Sequence, residues 1–436
     1  MKHKITVSLL SLFSWIIAGI ILIPNNAFAV NRLQKMIDEA KPGSVIRLKK
    51  DIYYGPVVIK KPLTIDGGNV AIIDGEGKGN VITVLSDNVT LKNLIIQNSG
   101  NQGWRMDAGI AVKRAKHIKI IHNVIKDCLY GIQTKYMNYS LIEANDISSK
   151  PYKQVGLRGD AIRLWWSHHN LIKDNFVHDS RDVIIWFCRH DTFVNQTTVR
   201  SRYGIHFMYS NYDKVINYRG DHNMVGIYDM YTTNVEIDGA LITNNTTVTA
   251  IGLGLKDASN LDAKNITIER CTRGVFIDES PYEPGMSCKF SNIRFYYNTI
   301  AMDFNTDATR NKNYFIHNDY VGNLKDIRVS GGMLDKRRGY WEMNYWDRYQ
   351  GFDENHDGIG DLPFYELKYS GILTEDNPSL RIFNGSPLFT FIKFIEKLIP
   401  FSQPSILLVD KKPLMKLYLP KLLHKNIPKL QKEGEN

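Results

Sequence analysis

His206, Met208 and Met230 are the side chains of this sequence with the most selective chemistry on offer. An imidazole with two thioethers is a soft donor set, and soft donors suit Cu(I). His206 and Met208 stand two apart, which places them on one face of an extended strand. Met230 follows Met208 by one period of a repeat described below. The same three residues would serve equally well as packing under an insertion or a partner. A second constellation lies further on: Asp353, Asn355 and Asp357 at alternate positions, then Gly358 and Asp361. That is the opening of an EF-hand-type calcium loop without its closing bidentate Glu. Asx turns need no metal and use the same residues. Hydrolase or lyase chemistry on a sugar chain would need clustered carboxylates on neighbouring strands. Only Asp278 beside Glu279 approaches that, and Asp160 and Asp182 read as corner residues. No catalytic residue is assigned, and the reading is not an enzyme.

Strands must hold these groups. A Gly or Asp followed by an aliphatic residue and then alternation begins at Gly109, Gly131, Asp160, Asp182, Gly204, Gly226, Gly252 and Gly274, with spacings of 22, 29, 22, 22, 22, 26 and 22. A 22-residue beat with occasional insertions matches one coil of a solenoid of three short strands. The predicted fold is therefore all-β, a right-handed parallel β-helix. The residue after each start is apolar throughout (Ile110, Ile132, Ala161, Val183, Ile205, Ile227, Leu253, Val275) and is expected to point inward. The second and fourth positions then point outward. In the middle coils they form an apolar, partner-facing patch of Ile162, Leu164, Ile184, Trp186 and Tyr228 around His206, Met208 and Met230. Arg163 and Asp229 fall in the inward column and are expected to pair there.

The ends are distinct. Residues 1–29 read as a signal peptide: Lys2 and Lys4, an apolar run, and Ala27-Phe28-Ala29 as a cleavage site. Leu33, Met36, Ile37 and Ala40 have helical spacing, as an end cap would. The β-helix is assigned to 30–330, a capping segment with the Asp-rich loop to 331–370, and a helical, basic tail to 371–436. Within the tail, Leu388–Ile399 is apolar and aromatic but too short to cross a bilayer. It could fold back on the last coil or, with the basic tail, dock on a membrane-bound partner or on the anionic bilayer surface. The formal net charge of +10 favours an acidic partner or anionic surface, and export argues against nucleic acid. The four cysteines form no C-x-x-C; a Cys271–Cys288 pair and buried thiols stacked in the core are equally compatible with their spacing.

The late sequence is the most specific. Trp341-Glu342-Met343-Asn344-Tyr345-Trp346-Asp347 precedes Tyr349-Gln350-Gly351-Phe352-Asp353 and Asp357-Gly358-Ile359-Gly360-Asp361-Leu362-Pro363-Phe364. With Gly159–Trp165, Ser180–Val183, Ser201–Ser210, Gly252–Asp257, Leu380–Pro387, Leu408-Val409-Asp410 and Pro413-Leu414-Met415, this resembles the NosD family over essentially the whole mature chain. NosD proteins are periplasmic maturation factors of nitrous oxide reductase. The resemblance implies a role in copper delivery, without turnover. The implied partners are an ABC transporter permease with its ATPase, a copper chaperone and nitrous oxide reductase itself. It does not say which residues touch copper. Where the family often has a plain Asp triplet, this chain has Asp353-Glu354-Asn355-His356-Asp357. The runner-up is a β-helical polysaccharide-binding or lyase-type protein.

Overall fold

A computed structural model describes residues 31–305, 313–329, 339–368, 383, 386–398 and 405–418. The expected signal segment, most of the Leu380–Pro387 motif and the lysines from Lys421 onward lie outside the described residues.

The chain enters through helix α1 (Arg32–Glu39). Asn31 caps it, its side-chain oxygen accepting the amides of Leu33 and Gln34 at 3.0 and 3.2 Å. Leu33 and Ile37 are buried beneath the first coil, as their spacing anticipates. Above it, every coil lays its strands parallel to those of the next, about 11 turns in all. One face is a twelve-stranded sheet: β1 (Val57–Ile59), β2 (Ile82–Val84), β3 (Ala108–Lys116), β4 (Tyr130–Asn138), β5 (Ile162–Trp165), β6 (Asp182–Trp186), β7 (Tyr203–Met208), β8 (Val225–Met230), β9 (Ile251–Lys256), β10 (Arg273–Asp278), β11 (Ile300–Phe304) and β12 (Lys325–Val329). The shorter strands of each coil form the larger second sheet. Ile110, Ile132, Ile162, Val183, Ile205, Ile227, Leu253 and Val275 stack into one buried inward column. Truncating one such residue to Ala costs about 2–5 kcal/mol, because close-packed coils cannot collapse into the gap.

The register corrects the sequence reading at one coil. Ile132 pairs with Ile162, and Ile162 with Val183, so this coil begins at Ala161 rather than Asp160. Ile162 and Leu164, expected on the outward patch, point into the core and are fully buried, while Arg163 and Trp165 take the outward places. The cause is Asp160. Its carboxylate is buried at the corner, where it accepts from Arg181 Nε at 2.8 Å and Arg163 Nη1 at 3.3 Å. That holds Asp160 before the strand and shifts every following side chain to the opposite face. The expected inward pair of Arg163 with Asp229 does not form. Asp229 is inward and accepts the Thr232 hydroxyl at 2.6 Å.

Asparagines close the corners. The side-chain oxygen of Asn175 accepts the Asn145 amide, and that of Asn145 the Asn123 amide, each at 3.0 Å. This satisfies buried backbone that a turn would otherwise orphan. Parallel pairing runs past residue 330, since Asn313 aligns with Gly339 and Tyr320 with Trp346. Beyond it, β13 (Phe364–Lys368) and β14 (Ser405–Asp410) pair antiparallel, so the tail expected to be helical and basic also contains a strand. Asp410 ends the asparagine ladder by accepting from Asn344 N and Nδ2, both at 3.0 Å, and Trp346 Nε1 at 3.1 Å. Helix α2 (Pro387–Leu398) leaves Leu388, Phe391 and Phe394 exposed, so these three do not fold back under the last coil. No helix among the described residues is long and apolar enough to cross a membrane. All four cysteines are free and buried, and the Cys271–Cys288 bond does not form. Burial pushes the thiols of Cys128, Cys271 and Cys288 up to about 12.

Candidate functional site

The outward face of β5 to β8 holds the candidate site. Ile184, His206 and Tyr228 occupy one column, and Trp165, Trp186, Met208 and Met230 the next but one. Register brings Met208 level with Met230 and His206 level with Tyr228. The imidazole Nε2 of His206 lies 3.2 Å from Met230 Sδ. His206 is on the outer face yet only 6% exposed. Tyr203 packs edge-on at 4.8 Å, and Tyr228 stacks at 6.1 Å. Burial, seconded by the Arg202 guanidinium, lowers the imidazole to about 4. At neutral pH it is therefore uncharged, which is the form that binds a metal. Nδ1 is buried without a hydrogen-bond partner.

One side of the patch is cationic and aromatic. The Arg163 guanidinium sits 5.0 Å from the Trp165 ring and 5.2 Å from Trp186, and the two indoles stack at 5.7 Å. Carboxylates on this face serve as counter-ions. Asp182 pairs with Arg202, and Asp278 with Lys256 at 3.6 Å. Burial raises the inward Asp229 carboxyl to about 7 and keeps it away from the outer face. Among the described residues no three His, Cys, Asp or Glu side chains converge on a metal-sized point.

The Asp-rich loop uses its oxygens differently. Asp353 accepts the Asp357 amide at 3.1 Å and the Gly358 amide at 2.8 Å. Asn355 accepts the Asp357 amide at 3.0 Å, Asp357 the Ile359 amide at 2.8 Å, and Asp361 the Glu354 amide at 2.7 Å. Gly358 takes the left-handed corner at φ 85°. The result is a knot of Asx turns in which the loop's own amides engage these oxygens. Its role is to seat the returning strand: Gly360 N donates to Pro413 O at 2.8 Å.

One feature escaped the reading of outward columns. Trp166, Phe187, Tyr209 and Tyr231 form a stacked ladder one position past Trp165, with centroids 4.8–5.2 Å apart. Three residues on, His117, Tyr139, His169, His190 and Tyr212 form another. All nine have left-handed φ between 50° and 62°. That conformation costs a non-glycine residue about 1–2 kcal/mol, and a stacked aromatic pair returns about 0.5–1.5 kcal/mol. The columns one and four positions past Trp165 carry the signal of both ladders, an aromatic or His in each of their coils.

A family model described as "Periplasmic copper-binding protein (NosD)" matches residues 150–351, and one described as "Right handed beta helix region" matches 69–211. The "Probable ABC transporter binding protein NosD" of Pseudomonas aeruginosa is 22% identical over 381 residues, covering 84% of this chain and 86% of that protein. The protein of the same name from Stutzerimonas stutzeri is 26% identical over 129 residues, 29% of each. Among solved structures, the catalytic domain of a GH87 α-1,3-glucanase aligns with a TM-score of 0.49 and 12% identity, over 68% of this chain and 65% of that one. The AlgE6 A-module of an Azotobacter vinelandii mannuronan C-5 epimerase aligns at 0.44 and 10%, over 74% and 95%. In its repeats, its closing segment and these matches, the chain resembles the NosD proteins, and the matched coils include those carrying His206, Met208 and Met230.

Proposed function

We propose that this chain is a periplasmic, non-catalytic binding protein that carries Cu(I) as cargo for an ABC transporter system. His206, Met208 and Met230 are the proposed ligands, and the maturation of nitrous oxide reductase is the process served. Its partners on this reading are the permease with its ATPase, a copper chaperone and the reductase. One observation carries the proposal: a neutral, outward imidazole lies 3.2 Å from a thioether, and a second thioether is level with the first. Thioethers favour Cu(I) over harder ions, and without a thiolate the complex stays weak enough to release its cargo. The relatives' description as binding proteins of an ABC transporter supports the transporter link, and the family description supports copper and the periplasm. Carboxylates engaged with arginine and lysine leave this face without an acid–base pair, which favours binding over turnover.

The test is an anaerobic Cu(I) titration of the purified mature protein against a chromogenic Cu(I) chelator. One equivalent is expected to bind, and Met208→Ala is expected to weaken binding about tenfold, roughly 1.4 kcal/mol. A wild-type protein that takes no copper from the chelator, or a His206→Ala variant that binds as tightly, overturns the assignment.

A further inference from the structure

Lys113 in β3 and Lys135 in β4 are directly aligned. Like charges facing across a strand pair are destabilising. At the other end of the same column the conflict is absent, because Lys256 faces Asp278. Arg114 lies over the Tyr136 ring at 5.8 Å, and Lys119 is exposed on the adjoining face. The nearby acids are engaged elsewhere: Glu143 with Lys173 at 2.6 Å, Asp127 with Lys150 at 3.3 Å, and Asp107 with Arg105 at 2.5 Å. Asp87 accepts the backbone amide of Lys116 at 2.7 Å. Among the described residues, no ion pair neutralises Lys113, Arg114, Lys119 or Lys135.

This cationic corner runs into the His117–Tyr139–His169–His190–Tyr212 ladder, whose middle rings stack at 4.9 and 5.0 Å. Beside it lies a groove of about 650 Å³ lined by Lys119, Tyr139, Leu141, His169, Leu171 and His190. The stacked rings turn their faces to one another and present edges to solvent, bearing imidazole nitrogens and phenol hydroxyls. A sugar chain needs free ring faces to stack on, so a polysaccharide fits poorly. Ring edges that hydrogen-bond, the apolar side chains of Leu141 and Leu171, and unneutralised cations alongside match a protein surface rich in carboxylates.

We propose that this edge is the docking surface for an acidic protein partner, whose protruding carboxylate-bearing segment enters the groove. The surface stands on its own residues and does not require the copper reading. The column of Lys113 and Lys135 continues through Trp165 and Trp186 to Met208 and Met230, about 14 and about 19 Å beyond Lys135 at strand spacing. A partner docked here would lie beside the thioethers.

The test uses fluorescently labelled poly-L-glutamate as probe and the full mature chain. The double substitution Lys113→Glu/Lys135→Glu is expected to raise the Kd for the probe at least tenfold at low ionic strength. The control Lys49→Glu/Lys60→Glu, equal in net charge and on a different part of the solenoid, should change it less than twofold. The single Lys113→Glu supplies a second readout: it creates an opposite-charge pair, so its melting temperature should rise while probe binding weakens. Equal weakening by both double variants would mean that only net charge matters and overturns the proposal. A Lys113→Glu protein that melts higher yet binds as before also overturns it. Binding to phosphatidylglycerol vesicles that depends on Lys113 and Lys135, with poly-L-glutamate binding unaffected, would assign the edge to a bilayer instead.

Discussion

On the outer face of the solenoid, the His206 imidazole lies 3.2 Å from the Met230 sulfur, with Met208 level in register, and no backbone amide engages them. At its end, residues 353–361 turn four oxygen-bearing side chains inward onto five hydrogen bonds from their own backbone. Both regions read as metal sites in the sequence. The fold separates them through the chemistry of the donors. A carboxylate oxygen is a strong acceptor, and a tight turn supplies amides within reach, so an Asp-rich loop can satisfy itself. A thioether is a weak acceptor, and on a parallel strand the amides already belong to the sheet. Soft donors on a strand thus have no backbone amide on them, whereas hard donors in a turn already accept several.

Removing both strong contributors should break this contrast most. The double variant His206→Ala/Met230→Ala is expected to lose about 100-fold in Cu(I) affinity, roughly 2.7 kcal/mol, in the anaerobic chelator competition. Asp353→Ala in the same assay should bind copper as the wild type does. If the loop variant loses copper and the strand variant keeps it, the two regions have been assigned the wrong way round.

Asp353→Ala should instead cost stability. It removes the acceptors of two amides, which amounts to about 2 kcal/mol in a partly exposed loop. Denaturant unfolding is expected to show the same loss in calcium and in chelator, because the loop's own amides engage the Asp353 carboxylate. A wild-type melting temperature that rises with added Ca²⁺ would reopen the calcium reading.

Much of this architecture is legible in the chain. The Gly or Asp starts mark the coils because a side chain there meets backbone of the next coil; a Cβ on Gly131 would stand 2.5 Å from the Ala161 carbonyl oxygen. The apolar column beside them follows from the alternation of strands. One start misled, since Asp160 looks like a coil residue and is a corner counter-ion for two arginines. That error moved Ile162 and Leu164 to the wrong face and hid Arg163 and Trp165. The corner ladders were hidden for another reason. Propensity assigns left-handed corners to Gly and Asn, and here His, Tyr, Trp and Phe accept them because stacking along the axis compensates. The Asp410 plug could not be read locally, because its partner Asn344 lies 66 residues earlier.

Two histidines sharpen the contrast between closed and open donors. His178 is bonded by Asp146 at 3.2 Å and Asp179 at 2.8 Å, and these bonds lift it to about 9 against the opposing effect of burial. A raised pKa stabilises the fold fully below the unfolded value near 6.5, and that contribution disappears as pH rises through about 9. His178→Gln is therefore expected to cost on the order of 1 kcal/mol at pH 6, after allowance for solvent screening. The cost should shrink towards zero above pH 9. Urea unfolding of both proteins from pH 6 to 9.5 checks this, and a gap that stays constant or widens with pH would remove the charged clip.

His206 is moved the other way, to about 4, and gives the smallest and most discriminating expectation. An imidazole with the ordinary value of 6.5 is about nine-tenths protonated at pH 5.5, so it would lose roughly tenfold in metal affinity between pH 7.5 and 5.5. His206, kept neutral by burial and by the nearby Arg202, should lose less than twofold over that range. Anaerobic titrations at pH 7.5, 6.5 and 5.5, with the chelator calibrated at each, measure the slope. A tenfold fall would mean that the copper ligand is an exposed imidazole. His169 and His190 on the corner ladder would then be the first to substitute, because their rings sit at the solvent edge, unlike that of His206.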